Sequence, residues 1–311
     1  MGVDYEIDLQ PIRSGFDGET CWVHARGGAV PRAGEGDSPA IVVTMQKLLV
    51  SGSDVFFTIH DMRSDDMGGT WVGPIPHEGL GRWDEGDGVI GGVCDFTPKW
   101  HAATGTLLGT GHPVYYRDDA GPMHVRPKEA AYSVYDPDER EWSQAKFLQM
   151  PDDPRYRTAG AGCAQRFDLE DGTVLLPLSY RPDYEVAHSE TVVSRCSFDG
   201  ETLELRELGN ALACEDPRGF GEPQLTRFGG RFFLSFRNDV RGYVTSGDDG
   251  LHFDEPIPWR FDDGEELGNY NTQQHWPTHS DALFLVYTRR GLDNDHVFRH
   301  RAPLMIAEVD P

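Results

Sequence analysis

The segment Ser64-Asp65-Asp66-Met67-Gly68-Gly69-Thr70-Trp71 decides the fold of this chain. It fits a pattern, S-x-D-x-G-x-T-W, with a physical reason for each fixed position. The Asp carboxylate can accept hydrogen bonds from the N–H groups of its own turn, the Gly can take the left-handed backbone, and the aromatic can pack between sheets. The pattern recurs at Ser246-Gly247-Asp248-Asp249-Gly250-Leu251-His252-Phe253, with Phe in the place of Trp. A shortened copy stands at Ser197-Phe198-Asp199-Gly200, and a degenerate one runs from Tyr135-Asp136 through Asp138 to Trp142. One such turn says little. Four, each following two or three short apolar runs, describe a repeated unit.

Those runs include PAIVVTMQKL, DVFFTIHDM, GTLLGTGHPVYY, GTVLLPLSY, TVVSRCSF, RFFLSFRND and ALFLVYTRRG. They are short, rich in β-branched and aromatic residues, and bounded by Gly, Asp or Pro, which predicts strands joined by tight turns. Helical periodicity is almost absent, so the expected class is all-β, and radial repetition removes the edges that two open sheets would leave. A length of 311 residues permits two domains; a ring of like units over 1–311 makes one. No apolar run approaches the ~18 residues of a membrane span, so no membrane partner is expected. Against 52 Asp and Glu stand 28 Lys and Arg, a net charge of −24. That balance argues against a nucleic-acid partner, since phosphate binding needs a basic surface, yet it leaves room for a small anion in a local cluster of Arg. Five Cys (21, 94, 163, 196 and 214) make an odd number with no CxxC pair, which reads as buried thiols rather than a disulfide framework or a zinc site. The first residues carry no secretory leader, so a cytoplasmic location is the default expectation, with secretion or a periplasmic location if the chain was trimmed.

On its repeated turns the chain resembles the sialidase-type β-propellers, whose Asp-boxes (BNR repeats) stand between the third and fourth strands of a blade. The resemblance implies four-stranded blades near 20–75, 92–148, 160–208 and 220–261. A fifth would hold 270–276, 282–289 and 302–309, with the N-terminal YEIDLQPI adding its outer strand and closing the ring. Five blades are counted where sialidases have six, and the count stays open by one.

Inner strands of a propeller line its channel, so chemistry is sought at first-strand starts and second-strand ends. Gly221-Glu222-Pro223-Gln224-Leu225, the Gly229-Gly230 turn and Phe236-Arg237-Asn238-Asp239 are similar to a sialidase Glu…Gly…Arg pattern. The resemblance implies that Glu222 activates a Tyr nucleophile and that Arg237 is one of three Arg on a substrate carboxylate. The Tyr is Tyr270, at the start of the fifth blade. Arg26, in His24-Ala25-Arg26, resembles the first-blade Arg, and the third lies among Arg289, Arg290, Arg299 and Arg301, with Arg289 taken here. Asp95, opening an inner strand, is the expected acid/base. Three guanidinium forks hold a carboxylate rigidly, and a Tyr becomes nucleophilic when a carboxylate takes its proton. This first reading is hydrolysis of an anionic, carboxylated glycan, with no cofactor called for.

The histidines give a rival. Some propeller polysaccharide lyases, the ulvan lyases among them, use His and Tyr on second strands and an Arg on the next. His112, Tyr180 and Arg195 follow that order. A neutral His or a Tyr would take the proton beside a uronate carboxylate while an Arg neutralises it. A non-catalytic, glycan-binding propeller is the third reading. The polar segment Asn269-Tyr270-Asn271-Thr272-Gln273-Gln274-His275-Trp276 offers Gln274 and His275 as substrate contacts, and Trp100, Tyr116 and Trp276 as stacking surfaces. His101 flanks the same hairpin as His112. Asp293-Asn294-Asp295-His296 lacks the spacing of a calcium loop, and no metal is assigned. Sugar, linkage and oligomeric state stay open.

Overall fold

Strands apolar on both faces need a neighbour on each side, and this requirement shapes the molecule. The computed structural model describes residues 3–52, 54–117, 121–123, 129–183, 185–294, 296–297 and 301–311. The first sheet runs in order β1 (Thr20–Val30), β2 (Ala40–Leu49), β3 (Phe56–Ser64) and β4 (Val72–Pro76). In the second, β5 (Arg82–Gly86) flanks β6 (Val89–His101), followed by β7 (Thr106–Arg117) and β8 (Ala131–Asp136), with β9 (Glu141–Trp142) and β10 (Lys146–Phe147) both on β8. The third is β11 (Phe167–Asp168), β12 (Val174–Tyr180), β13 (Glu190–Phe198) and β14 (Leu203–Leu208). The fourth is β15 (Gly221–Phe228), β16 (Arg231–Arg237), β17 (Tyr243–Gly247) and β18 (Ile257–Pro258). Then β19 (Leu283–Tyr287) pairs with β20 (Met305–Val309). All pairings within these sheets are antiparallel, and helix is confined to 3-10 turns. No helix among the described residues is long and apolar enough to cross a membrane.

The sheets stack like the blades of a propeller because alternate residues of one strand serve different neighbours. On β12, Val174, Leu176 and Leu178 pack with Leu108 and Tyr132 of the second sheet, whereas Leu175 packs with Phe220 and with Phe232 and Leu234 of the fourth. On β16, Phe232 and Leu234 face the third sheet, and Phe233 faces Leu283, Leu285 and Tyr287. Val30, Val42 and Ile59 join the first sheet to Phe96, Leu107 and Trp142 of the second. Buried arginines fasten the joints: Arg166 donates to the Leu108 and Lys99 carbonyls at 2.8 and 2.7 Å, and Arg63 to those of Pro137 and Ala33 at 2.7 and 2.8 Å.

Three of the repeated turns follow the third strand of their sheet, after β3, β13 and β17, and the fourth follows β8. Asp66 accepts from Thr70 N, Thr70 Oγ1 and Ser64 Oγ, each at 2.8 Å, and Gly68 is left-handed at φ 94°. Asp199 and Asp136 each accept from two backbone N–H groups. In the copy at 246–253 the bonding carboxylate is Asp249, to Leu251 N and His252 N, rather than Asp248, which pairs with Arg231 at 3.3 Å. Around Thr278–Leu283 and His275–Val286 only isolated bridges precede β19. Residues 5–12, expected to add an outer strand, run without strand pairing, and the Tyr5 ring meets Phe284 edge-on at 5.3 Å between centroids.

Candidate active site

Each inner segment carries one residue whose backbone breaks the ladder. Pairing slips between Val23 and Arg26 in β1, between Cys94 and Thr97 in β6, and between Gly221 and Gln224 in β15. Inside these bulges His24, Asp95 and Glu222 take left-handed backbone, at φ 57°, 54° and 49°. Cys163 (φ 60°) and Asn271 (φ 50°) do the same ahead of β11 and β19. Such a conformation costs a non-Gly residue roughly 1–2 kcal/mol, and clustered strain of this kind marks functional sites. Of thirteen described non-Gly residues with positive φ, six (His24, Asp54, Asp95, Cys163, Arg218 and Glu222) line one cleft of about 210 Å³, which places the strain around a ligand-sized space.

Asp95 stands at the floor between two imidazoles. His24 Nδ1 lies 2.9 Å from one carboxylate oxygen and His112 Nε2 3.4 Å from the other. Burial alone would raise this carboxyl, but the two imidazoles outweigh it and hold Asp95 well below the usual carboxylate range. Gly162 makes room for His112, since a Cβ there would come within 2.6 Å of the ring. Cys163 donates its backbone N–H to the Asp95 carbonyl at 3.1 Å. Its thiol is pushed well up by burial and by Asp95 and Glu222, so it stays protonated. Gln273 bridges Cys163 Sγ (2.8 Å) and Arg26. Arg237 grips Glu222 Oε1 with one nitrogen and donates to Asn271 Oδ1 at 2.6 Å with the other. Glu222 Oε2 is buried and makes no hydrogen bond among the described residues. Arg181, Arg218 and Arg301 add positive charge to the wall. Phe56, Val114, Tyr115, Pro122 and Met123 make other parts of the lining apolar.

Of the residues singled out from sequence, Asp95, His112, Glu222 and Arg237 converge on this cleft. The others are placed elsewhere. Tyr270 lies against the Arg290 guanidinium, 3.7 Å from its ring centre, and does not line the cleft. Arg26 reaches Gln273, and Arg289 stacks on Phe261 at 4.9 Å, so the expected trio of Arg26, Arg237 and Arg289 does not assemble. Tyr180 is buried in the third sheet with its hydroxyl on Glu190 at 2.7 Å, and Arg195 pairs across strands with Glu207 at 3.7 Å. Neither lines the cleft that holds His112. Gln274 is spent on Trp259 Nε1 (2.8 Å) and the Phe236 carbonyl (3.1 Å). Burial, with Arg26 nearby, pushes His275 down to about 4. Tyr116 and Trp276 are core residues rather than stacking platforms, and His101 is buried between Thr104 and the Gly172 carbonyl. Arg299 and Asp295 lie outside the described residues. Among those described, no three His, Cys, Asp or Glu are grouped to hold a metal ion.

Sequence reasoning passed over His24, Cys163, Gln273, Arg181 and Arg218. Only the two-residue step from each left-handed position to a polar residue (Arg26, Thr97, Gln165, Gln224, Gln273) hints at the first three.

No family model matches the sequence, and no curated protein does. Solved structures do. A GH43 β-1,3-galactosidase with galactodeoxynojirimycin superposes with TM-score 0.54 at 12% identity, over 86% of this chain and 86% of the other. The sialidase of Trypanosoma rangeli gives 0.54 at 14% identity, over 85% of this chain and 43% of that one. NanB with Optactamide gives 0.57 at 11%, over 93% and 60%. This chain spans about half the length of the sialidases it matches. At such identities the likeness shows the fold: a β-propeller of the kind found in sialidases and GH43 glycosidases.

Proposed function

We propose that the chain is a glycoside hydrolase that binds an anionic glycan over the hub of a single-domain, five-bladed ring. The fifth blade would comprise the 271–278 segment, β19 and β20, and the Arg26–Gln273 hydrogen bond supports closure onto the first. One observation carries the functional reading: an ionised Asp95 clasped by two imidazoles shares a cleft with Glu222, whose free oxygen is buried beside Arg237.

Hydrolysis needs a proton for the leaving oxygen and an anion opposite the positive charge that grows at the anomeric carbon. Asp95, held ionised, cannot be the proton donor expected of it. That role falls to His112, which Asp95 orients. Glu222, which lines the cleft and is fixed through Oε1, supplies its carboxylate as base or nucleophile, which leaves Tyr270 without a catalytic part. Glu222→Gln and His112→Gln should each lower kcat by about 10²–10⁴ on whichever aryl glycoside of a broad panel is cleaved, while Tyr270→Phe keeps most of it. Full activity in Glu222→Gln with loss in Tyr270→Phe would restore the Tyr nucleophile and end this assignment.

The His112–Asp95 pair also favours a second reading. A neutral His112 could remove the proton beside a uronate carboxylate, with arginines of the same cleft neutralising the carbanion-like state. An ultraviolet-absorbing unsaturated product from uronate polymers would replace hydrolysis with elimination, without Tyr180 or Arg195. Binding with no turnover on any glycan would leave a lectin-like propeller.

A further inference from the structure

Beside the main cleft, and sharing Arg181, Arg218, Glu222 and Arg237 with it, lies a side pocket of about 60 Å³. The space is smaller than the main cleft and suits one compact group. Three guanidiniums, Arg181, Arg218 and Arg237, stand against two carboxylates, Glu222 and Asp239, and Ser189 joins the wall. Among the described lining residues positive charge is thus in excess, in a chain of net charge −24.

The backbone is committed to this arrangement. Arg218 is left-handed at φ 66°, and its loop is clasped to the 189 loop by Ser189 N–H on the Arg218 carbonyl (2.9 Å) and Phe220 N–H on the Ser189 carbonyl (2.8 Å). Gly219, at φ 64°, is obligatory there: a Cβ would fall 2.0 Å from the Ser189 oxygen. Asn238 ties the same loop down through the Gly219 and Pro217 carbonyls. Arg218 is steered by Asp239 at 3.1 Å, and Arg181 is anchored at its N–H by Thr158 Oγ1 at 2.7 Å. Burial, then the charge of Arg218, pushes the Arg181 guanidinium down. Like charges gathered at the edge of a cleft are what an anion receptor requires.

We propose that this pocket receives an oxyanion substituent of the bound glycan, a carboxylate or a sulfate ester, through Arg181 and Arg218, to one side of the reacting groups. As a substrate subsite this rests on the hydrolase reading; as an anion site it does not. The test is calorimetric titration of the intact chain with methyl glucuronide, glucose 6-sulfate and methyl glucoside, alongside Arg181→Gln and Arg218→Asn (Asn accepts the left-handed backbone), with melting curves to verify folding. At least one charged sugar should bind ten-fold or more tighter than methyl glucoside, and each variant should remove that advantage. The tighter of the two charged sugars identifies the substituent. Equal binding of all three sugars to the wild type, or unchanged selectivity in both folded variants, overturns the proposal. Hydrolysis of neutral glycosides with no anion selectivity would leave the hydrolase standing and the pocket refuted. Selective binding with no turnover anywhere would do the reverse.

Discussion

At Asp95 the backbone and the side chain make opposite demands. The left-handed φ of 54° disfavours a Cβ-bearing residue, yet two imidazoles need an anion there. Asn, alone among close relatives of Asp in shape, tolerates that backbone well. Asp95→Asn should therefore melt close to the wild type while losing about 10²-fold or more in kcat, because the charge that holds His112 is gone. Asp95→Ala should melt lower than Asp95→Asn, since it keeps the strain of roughly 1–2 kcal/mol and leaves both imidazoles without their partner. Paired thermal melts and turnover measurements check both outcomes. If Asp95→Asn kept full activity, the aspartate would be structural and His112 would need another orienting group.

The 271–278 segment ahead of β19 pairs with it only through isolated bridges. His275 there donates its N–H to the Val286 carbonyl at 3.0 Å, and its imidazole titrates at about 4 instead of 6.5. Between those two pH values the unfolded chain carries the proton and the folded chain does not, so stability falls as pH drops through that window. The shift corresponds to about 3 kcal/mol at most. In urea unfolding at pH 7 and pH 4, the wild type should lose about that much more than His275→Gln, which has no proton to gain. Equal losses would mean that His275 is hydrated in the fold. The strands and their turns were legible because β-branched runs and Asp–Gly turns carry their conformation in residue type, as in PAIVVTMQKL and Ser64–Trp71. The candidate site was legible only where a cleft-lining residue stood in a strand motif, as Glu222, Arg237, Asp95 and His112 do. His24, Cys163 and Asn271 share a backbone state with Asp95 and Glu222 but no residue type, and periodicity cannot reveal a bulge. Arg181 and Arg218 sit outside the strands, and only the fold brings them together.

The whole molecule sets two fields against each other. Its net charge of −24 would repel the proposed anionic substrate at long range, whereas the arginine-lined wall would attract it within a few ångströms. The ranges differ, so salt separates them. The screening length is about 30 Å at 0.01 M and about 8 Å at 0.15 M. Raising the salt over that interval should shrink the repulsion during approach while largely sparing contacts made in a partly buried cleft, which are screened less. For a charged glycoside kcat/KM should therefore rise several-fold between 0.01 and 0.15 M NaCl, chiefly through KM, and for its neutral analogue it should stay flat. A monotonic fall for the charged substrate would mean that the arginines govern approach as well as docking. A rise for both substrates alike would point to a salt effect on the fold, as expected if self-repulsion among the 52 acidic residues loosens the ring at low ionic strength. A melting curve at each salt concentration tells that case from the electrostatic one.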